Sequence, residues 1–159
     1  MGIQPDGVRA KNCAVHTIDI AAPAELVWAI VSDIDGWHAW NPLYTAASGE
    51  PQVGAPMTFS VVLEGMKPQK GKATICAVEP CRLLEYRTGG MGGLVKAHRF
   101  IEIAQVGTSG CRVANGEIMG GLIGPLIYRL LGEKVRHGLQ GMNEQLKRQA
   151  ERAAVREET

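Results

Sequence analysis

The sequence has few of the features that would assign it at once to a specialised class. No stretch approaches the roughly 20 apolar residues needed to cross a bilayer, so no integral membrane segment is expected. The opening residues, MGIQPDGVRAKN, lack the apolar central run of a secretory signal. Charge of neither sign dominates: 17 basic and 16 acidic side chains leave a formal charge of +1, spread along the chain rather than in blocks. That balance gives no reason to expect the basic footprint of a nucleic-acid binder or the polybasic patch of a membrane-surface protein. Cysteine occurs only as Cys13, Cys76, Cys81 and Cys111, with no CxxC and no histidine at a partnering spacing, so no metal is expected. Cys76 and Cys81 flank a turn at Glu79-Pro80 and can lie across a hairpin from each other; reduced, half-buried thiols of a cytoplasmic protein are the expected state. There is no serine or cysteine nucleophile motif and no phosphate-cradling glycine loop. GGMGG, residues 89–93, follows a strand but leads into another strand, so no helix N-terminus stands ready for a phosphate and no cofactor is expected.

What remains is ordinary globular composition, 45% apolar and 21% charged, in 159 residues. One domain over residues 13–153 suffices, with flexible termini at 1–12 and 154–159; a chain of this length buries roughly two thirds of its unfolded surface. CAVHTIDI, residues 13–20, alternates as a strand. AAPAELVWAIVSD then reads as a helix, with Pro23 at its first position, Glu25 in its first turn, and Leu26, Val27, Ile30 and Val31 as its buried stripe. Asp35 is placed to cap a second short helical turn carrying Trp37 and Trp40, which Pro42 ends. Six further strands follow: LYTAAS, APMTFSVVL, KGKATICAV, CRLLEYRT, LVKAHRFIEI and CRVANGEIM, separated by glycine- and proline-rich breaks. Their short connections favour antiparallel neighbours.

From Pro125 to about Ala153 the pattern is helical, a rod of roughly 40 Å at 1.5 Å per residue. Leu126, Ile127, Leu130, Leu131, Val135, Leu139, Met142 and Leu146 share a broad apolar face. This order of elements gives an α+β class: a curved seven-stranded antiparallel sheet wrapped around a long C-terminal helix, with two short helices after the first strand. A straight rod across a twisted sheet leaves a gap unless bulky side chains fill it. Gly138 falls at the centre of the apolar arc. It either removes volume beside the adaptable Met142 or permits close backbone approach.

Strand alternation nominates the groups that line such a gap. His98 and Phe100 share one face of their strand; Asn115, Glu117 and Met119 share one; Leu84 and Tyr86 share one. If Phe100, Met119 and Leu84 mark the inner surface, then His98, Asn115, Glu117 and Tyr86 point inward, with His98 and Glu117 as an acid–base pair. A slip of one residue reverses every one of these directions. Phe59, Val61, Leu131, Gly138 and Met142 complete the expected ligand-binding wall. Trp28 and Trp40 are expected as anchors, and Trp37, beside Gly36 and His38, as the partly exposed tryptophan near the entrance.

AAPAELVWAIVSDIDGWHAWNP resembles the opening of the START-like helix-grip (SRPBCC) superfamily, in particular its polyketide cyclase/dehydrase-type branch, on Pro23, Ala24, Val27, Trp28, Asp33, Trp40, Asn41 and Pro42. His98 to Phe100, Gly107-Thr108, Glu117 with Gly120, and MNEQLKRQAE near the end extend the likeness over residues 13 to about 152. The resemblance implies a curved sheet gripping the last helix around an apolar cavity. It does not name one activity, because such folds host many; the iron ligands of the oxygenase branch have no counterpart here. The leading expectation is a binder of a hydrophobic small molecule such as a lipid, polyketide or quinone. A polyketide cyclase or dehydratase using His98 or Glu117 is the alternative, a protein-interaction module ranks third, and a homodimer is left open.

Overall fold

The computed structural model describes residues 11–157. Of the termini expected to be flexible, 1–12 and 154–159, residues 1–10 and 158–159 lie outside the described residues. The elements are β1 (Cys13–Ile20), α1 (Ala24–Ser32), a 3-10 turn (Asp35–Ala39), β2 (Tyr44–Gly49), β3 (Pro56–Val61), β4 (Gln69–Glu79), β5 (Leu83–Gly90), β6 (Val95–Val106), β7 (Gly110–Gly120) and α2 (Gly124–Glu157). A second short 3-10 turn, Met91–Gly93, closes the glycine-rich hairpin between β5 and β6. The seven strands form one antiparallel sheet in the order β1-β7-β6-β5-β4-β3-β2. Chain order is kept from β2 to β7, and only β1 crosses over to pair with the last strand.

The long helix seats its C-terminal two thirds on β1, β7 and α1, where Val135, Leu139, Met142, Leu146 and Ala150 are buried. Lys147 Nζ donates to the Asp19 carbonyl at 2.8 Å and Glu151 accepts from the Ala21 amide at 2.9 Å, which pins the last turns to the end of β1. The helix continues to Glu157, four residues past its expected end. Its first turns differ from expectation as well: Leu126 and Leu130 are 52% and 64% exposed, on the side away from the sheet. At 100° per residue, Leu130 lies opposite Leu139. Gly121, with a φ of +84°, makes the turn from β7 into the helix and passes so close to the Leu94 carbonyl that no side chain fits.

The short helices are held by the tryptophan expected to be partly exposed. Trp37 is fully buried, donates from Nε1 to the Val31 carbonyl at 3.0 Å, and packs edge-on against Tyr44 at 5.3 Å. Trp28 and Trp40 are only half-buried. The reason is local: the turn is tight enough to aim residue 37 straight into the core. Asp33 rather than Asp35 accepts from the Gly36 amide, at 3.2 Å, and Asp35 instead holds the Gly49 amide. Pro23 stands one position earlier than expected, as the extended residue before α1. In the Asn-Pro pair, the buried Asn41 side chain accepts from the amides of Leu43 and Tyr44 and so turns the chain into β2.

Two bulges break the sheet alternation, one between Tyr44 and Ala46 and one between Ile75 and Ala77. The second reverses the facing of β4: Ile75 belongs to the helix-side core, whereas Ala77 joins a separate outer cluster with Leu83, Phe100 and Ile118. The two phenylalanines of the chain each cover a glycine directly across the ladder. Phe59 lies over Gly71 and Phe100 over Gly116, and in both cases a methyl group on the glycine would collide with the ring. Phe100 thus marks the outer face, contrary to expectation.

This contact yields a stability prediction. Gly116→Ala should destabilise the fold by about 1–3 kcal/mol through overpacking, read as a lower urea midpoint at unchanged slope. Combining it with Phe100→Leu should recover part of the loss. An unaltered midpoint in the single variant would show that the ring yields freely.

Candidate functional site

The register sorts the expected site residues cleanly. Leu84, Tyr86, Asn115 and Met119 are buried on the helix side of the sheet, Phe59 and Val61 pack against that core, and Glu117 stands in register with Arg99. Met142 is buried on α2, and Leu131 is half-buried one turn before Val135. His98 and Phe100 point the other way. Arg99 takes the inward position between them, with Ile101 and Ile103 following on the same face. The expected pairing of His98 with Glu117 therefore fails: one imidazole and one carboxylate sit on opposite sides of one sheet. Gly138 is not beside a void either, since a side chain there would meet Leu43 Cδ1 at 2.7 Å; Gly141 likewise faces Pro42. Both glycines let α2 close down on the start of β2.

Arg99 is the centre of a buried polar chain. It is 2% exposed, and Nη2 donates to Asn115 Oδ1 at 2.9 Å. Asn115 Nδ2 in turn donates to Asn143 Oδ1 on α2 at 3.1 Å and approaches the Met142 sulfur at 3.3 Å. Asn143 Nδ2 contacts both the His16 carbonyl, at 3.0 Å, and His16 Nδ1, at 2.9 Å. On the other side Arg99 Nε lies 3.4 Å from the Tyr86 hydroxyl, which donates to the Tyr44 hydroxyl at 2.9 Å. The guanidinium also stands over both tyrosine rings, 5.7 and 6.0 Å from their centroids. Four strands and the long helix thus meet at one cation, and the relay through Asn143 extends to β1.

The electrostatics follow from burial. Desolvation works against a charged Arg99, but the oxygens of Tyr44 and Tyr86 and the Glu117 carboxylate outweigh it and hold the guanidinium above its usual range. Glu117 Oε2 is 3.9 Å from Arg99 Nε, an ion pair without a short hydrogen bond. Desolvation raises the Glu117 carboxyl above its ordinary value, and the nearby Arg99 only partly opposes it. Burial likewise lifts the Tyr44 hydroxyl well above 10.0. One donor of this group is left over: Arg99 Nη1 is buried and has no acceptor among the described residues.

A cleft of about 840 Å³ runs along β2–β5, lined by residues 46–48, 58–61, 69–72, 88 and 89. This part of the sheet is not among the principal contacts of α2. Phe59, in the wall of the cleft, stacks edge-on with Tyr44 at 5.5 Å. One aromatic layer therefore separates the cleft from the arginine.

The outer face carries a second constellation. His98 Nε2 and Glu85 Oε2 are 3.0 Å apart, and donor atoms of Cys76, Glu85 and His98 all lie within 4.8 Å of one another. Glu85 is 1% exposed, and burial, then this carboxylate, raises the Cys76 thiol. All four cysteines are free thiols. No helix among the described residues is long and apolar enough to cross a membrane.

No curated protein matches the chain in sequence. The Zhui aromatase/cyclase from Streptomyces sp. R1128 has a similar structure, with a TM-score of 0.72 and 18% identity over 88% of this chain and 93% of that one. A START superfamily protein from Mycobacterium smegmatis gives 0.68 and 17%, over 89% and 98%. The norcoclaurine synthase of Thalictrum flavum gives 0.66 and 17%, over 92% of each. At such identities the likeness carries the fold alone. The family described as polyketide cyclase/dehydrase and lipid transport matches residues 12–151, nearly the whole chain, and to that family this protein belongs.

Proposed function

We propose that this chain binds a hydrophobic small molecule carrying an oxygen acceptor, with the apolar body in the β2–β5 cleft and the oxygen reaching Arg99 once the Phe59 and Tyr44 rings between them turn aside. The observation that carries this reading is the unmatched Nη1 donor of a buried, permanently charged guanidinium. A buried donor without a partner costs about 1–3 kcal/mol, more when charged, and a carbonyl, carboxylate or phenolate oxygen would satisfy it. Phe59 and Val61 supply apolar wall to the cleft, and behind it the buried Tyr44, stacked on Phe59, and Tyr86 supply two hydroxyls beside Arg99. The family and the aromatase/cyclase and START-type neighbours favour a ligand of this general kind.

Glu117 supports a second reading. A carboxyl raised by burial and set beside a cation that can hold an enolate is suited to shuttling a proton on a bound poly-β-ketone, which is cyclase or dehydratase chemistry. His98, facing the outer surface, plays no part in either reading.

Two measurements test these readings. Arg99→Lys keeps the charge but removes the forked donors. It should weaken binding of a long-chain ketone or carboxylate by roughly 10- to 100-fold, the worth of a charged hydrogen bond, while a hydrocarbon of matched size binds as before. Equal loss for both probes would point to collapse of the pocket rather than loss of an anchor. The Glu117 shift has a defined sign. Below the unfolded value of 4.5 the carboxyl is neutral in both states and costs nothing. As pH rises above that value the unfolded chain ionises first, so wild-type stability falls relative to Glu117→Gln until the folded carboxyl also ionises. The variant's advantage in urea unfolding should therefore grow with pH above 4.5 and then level off; an advantage that shrinks would mean Glu117 is stabilised as its anion.

A further inference from the structure

We infer that Cys76, Glu85 and His98 form a divalent-cation site on the outer face of the sheet, suited to zinc or a similarly borderline ion. The three residues come from β4, β5 and β6, and no sequence spacing announces them because two hairpins bring them together. Alternation from Ile75, which faces the helix, puts Cys76 on the outer face, and the β4 bulge sets Cys76 and Ala77 together against the single residue Glu85. The mutual spread of 4.8 Å exceeds the ~3.3–3.8 Å between donors that tetrahedral zinc bonds of ~2.0–2.3 Å imply. Small side-chain rotations close that difference.

The donor set selects the ion. A thiolate with an imidazole favours zinc, cobalt or cadmium over magnesium and calcium, which take oxygen ligands. One thiolate and one carboxylate balance a +2 ion, so the loaded site is close to neutral, as a floor this buried requires. The carboxylate is 1% exposed and the imidazole 24%, so an ion here would be held from below and open to solvent above. Three protein ligands with one open position are the arrangement of sites that keep a water or an exogenous ligand on the metal. On binding, the Cys76 thiol proton passes to solvent. Arg87, exposed on the neighbouring position of β5, hydrogen-bonds to Cys76 and would swing outward. The site lies across the sheet from Arg99, so it stands or falls independently of the ligand reading.

The reduced full-length protein titrated with Co²⁺ and then Zn²⁺ tests this. Expected is one Co²⁺ per chain with a thiolate-to-cobalt charge-transfer band in the near ultraviolet, displaced by Zn²⁺. Cys76→Ser, close to isosteric, should abolish the band, whereas Cys111→Ser keeps it. His98→Gln should weaken zinc binding about tenfold or more. Zinc should raise the thermal midpoint of the wild type and not of Cys76→Ser. The inference is overturned by a wild type without the band, by a band that survives in Cys76→Ser, or by His98→Gln binding zinc as tightly as the wild type.

Discussion

A charged guanidinium in the middle of an apolar core is the constraint around which this molecule is arranged. Arg99 cannot lose its proton, so the fold must bring polar atoms to it. It does so from several elements: Asn115 and Glu117 from β7, Tyr86 from β5, Tyr44 from β2, and Met142 from α2. The relay through Asn143 to His16 ties the helix to β1 as well. Removing one member leaves others buried without partners, which is why such networks specify a single register more strongly than their summed energies suggest. The spare Nη1 donor is informative for the same reason. A network this complete around the cation, with one donor unanswered, is more easily understood as a binding site than as a packing fault.

The architecture was largely legible in the sequence, and the site only in part. Alternation in β1 and β4–β7, the glycine- and proline-rich breaks, and the long amphipathic C-terminal stretch placed all seven strands and both α-helices close to where they are found. The inward residues of β5 and β7 followed from the same alternation: Leu84, Tyr86, Asn115 and Met119 are buried on the helix side. β6 failed for an identifiable reason. Phe100 looks like a core residue, and it is buried, but in an outer cluster made by the β4 bulge and the glycine at 116. Taking it as the inner marker inverted the strand and hid Arg99 behind His98. Ile101 and Ile103 carried the correct signal, since two β-branched residues at alternate positions outweigh one aromatic.

Trp37 departs from expectation and Gly138 takes the close-approach alternative, because residue type alone carries no geometry. A tryptophan next to glycine and histidine looks peripheral, yet the tight turn drives it into the core and lets Val31 accept its indole proton. A glycine in the middle of an apolar stripe looks like removed volume, yet here it admits the Leu43 side chain. Among the described residues, a cleft along β2–β5 is lined by strand residues rather than by the helical ones named for it. The metal-ligating trio had no signal in local spacing at all. It depends on a bulge and on the register of two hairpins, which sequence alone does not display.

Arg99 meeting an external oxygen is the central claim, and its most direct measurement is nitrogen-detected NMR of the arginine side chains. In the free protein the Arg99 guanidinium should give a distinct, slowly exchanging signal with hindered rotation, because it is buried and held at Nε and Nη2. On adding a hydrophobic ketone or carboxylate that signal should shift while the exposed arginines stay in place. Saturable binding of such a ligand with the Arg99 signal unmoved would contradict the account.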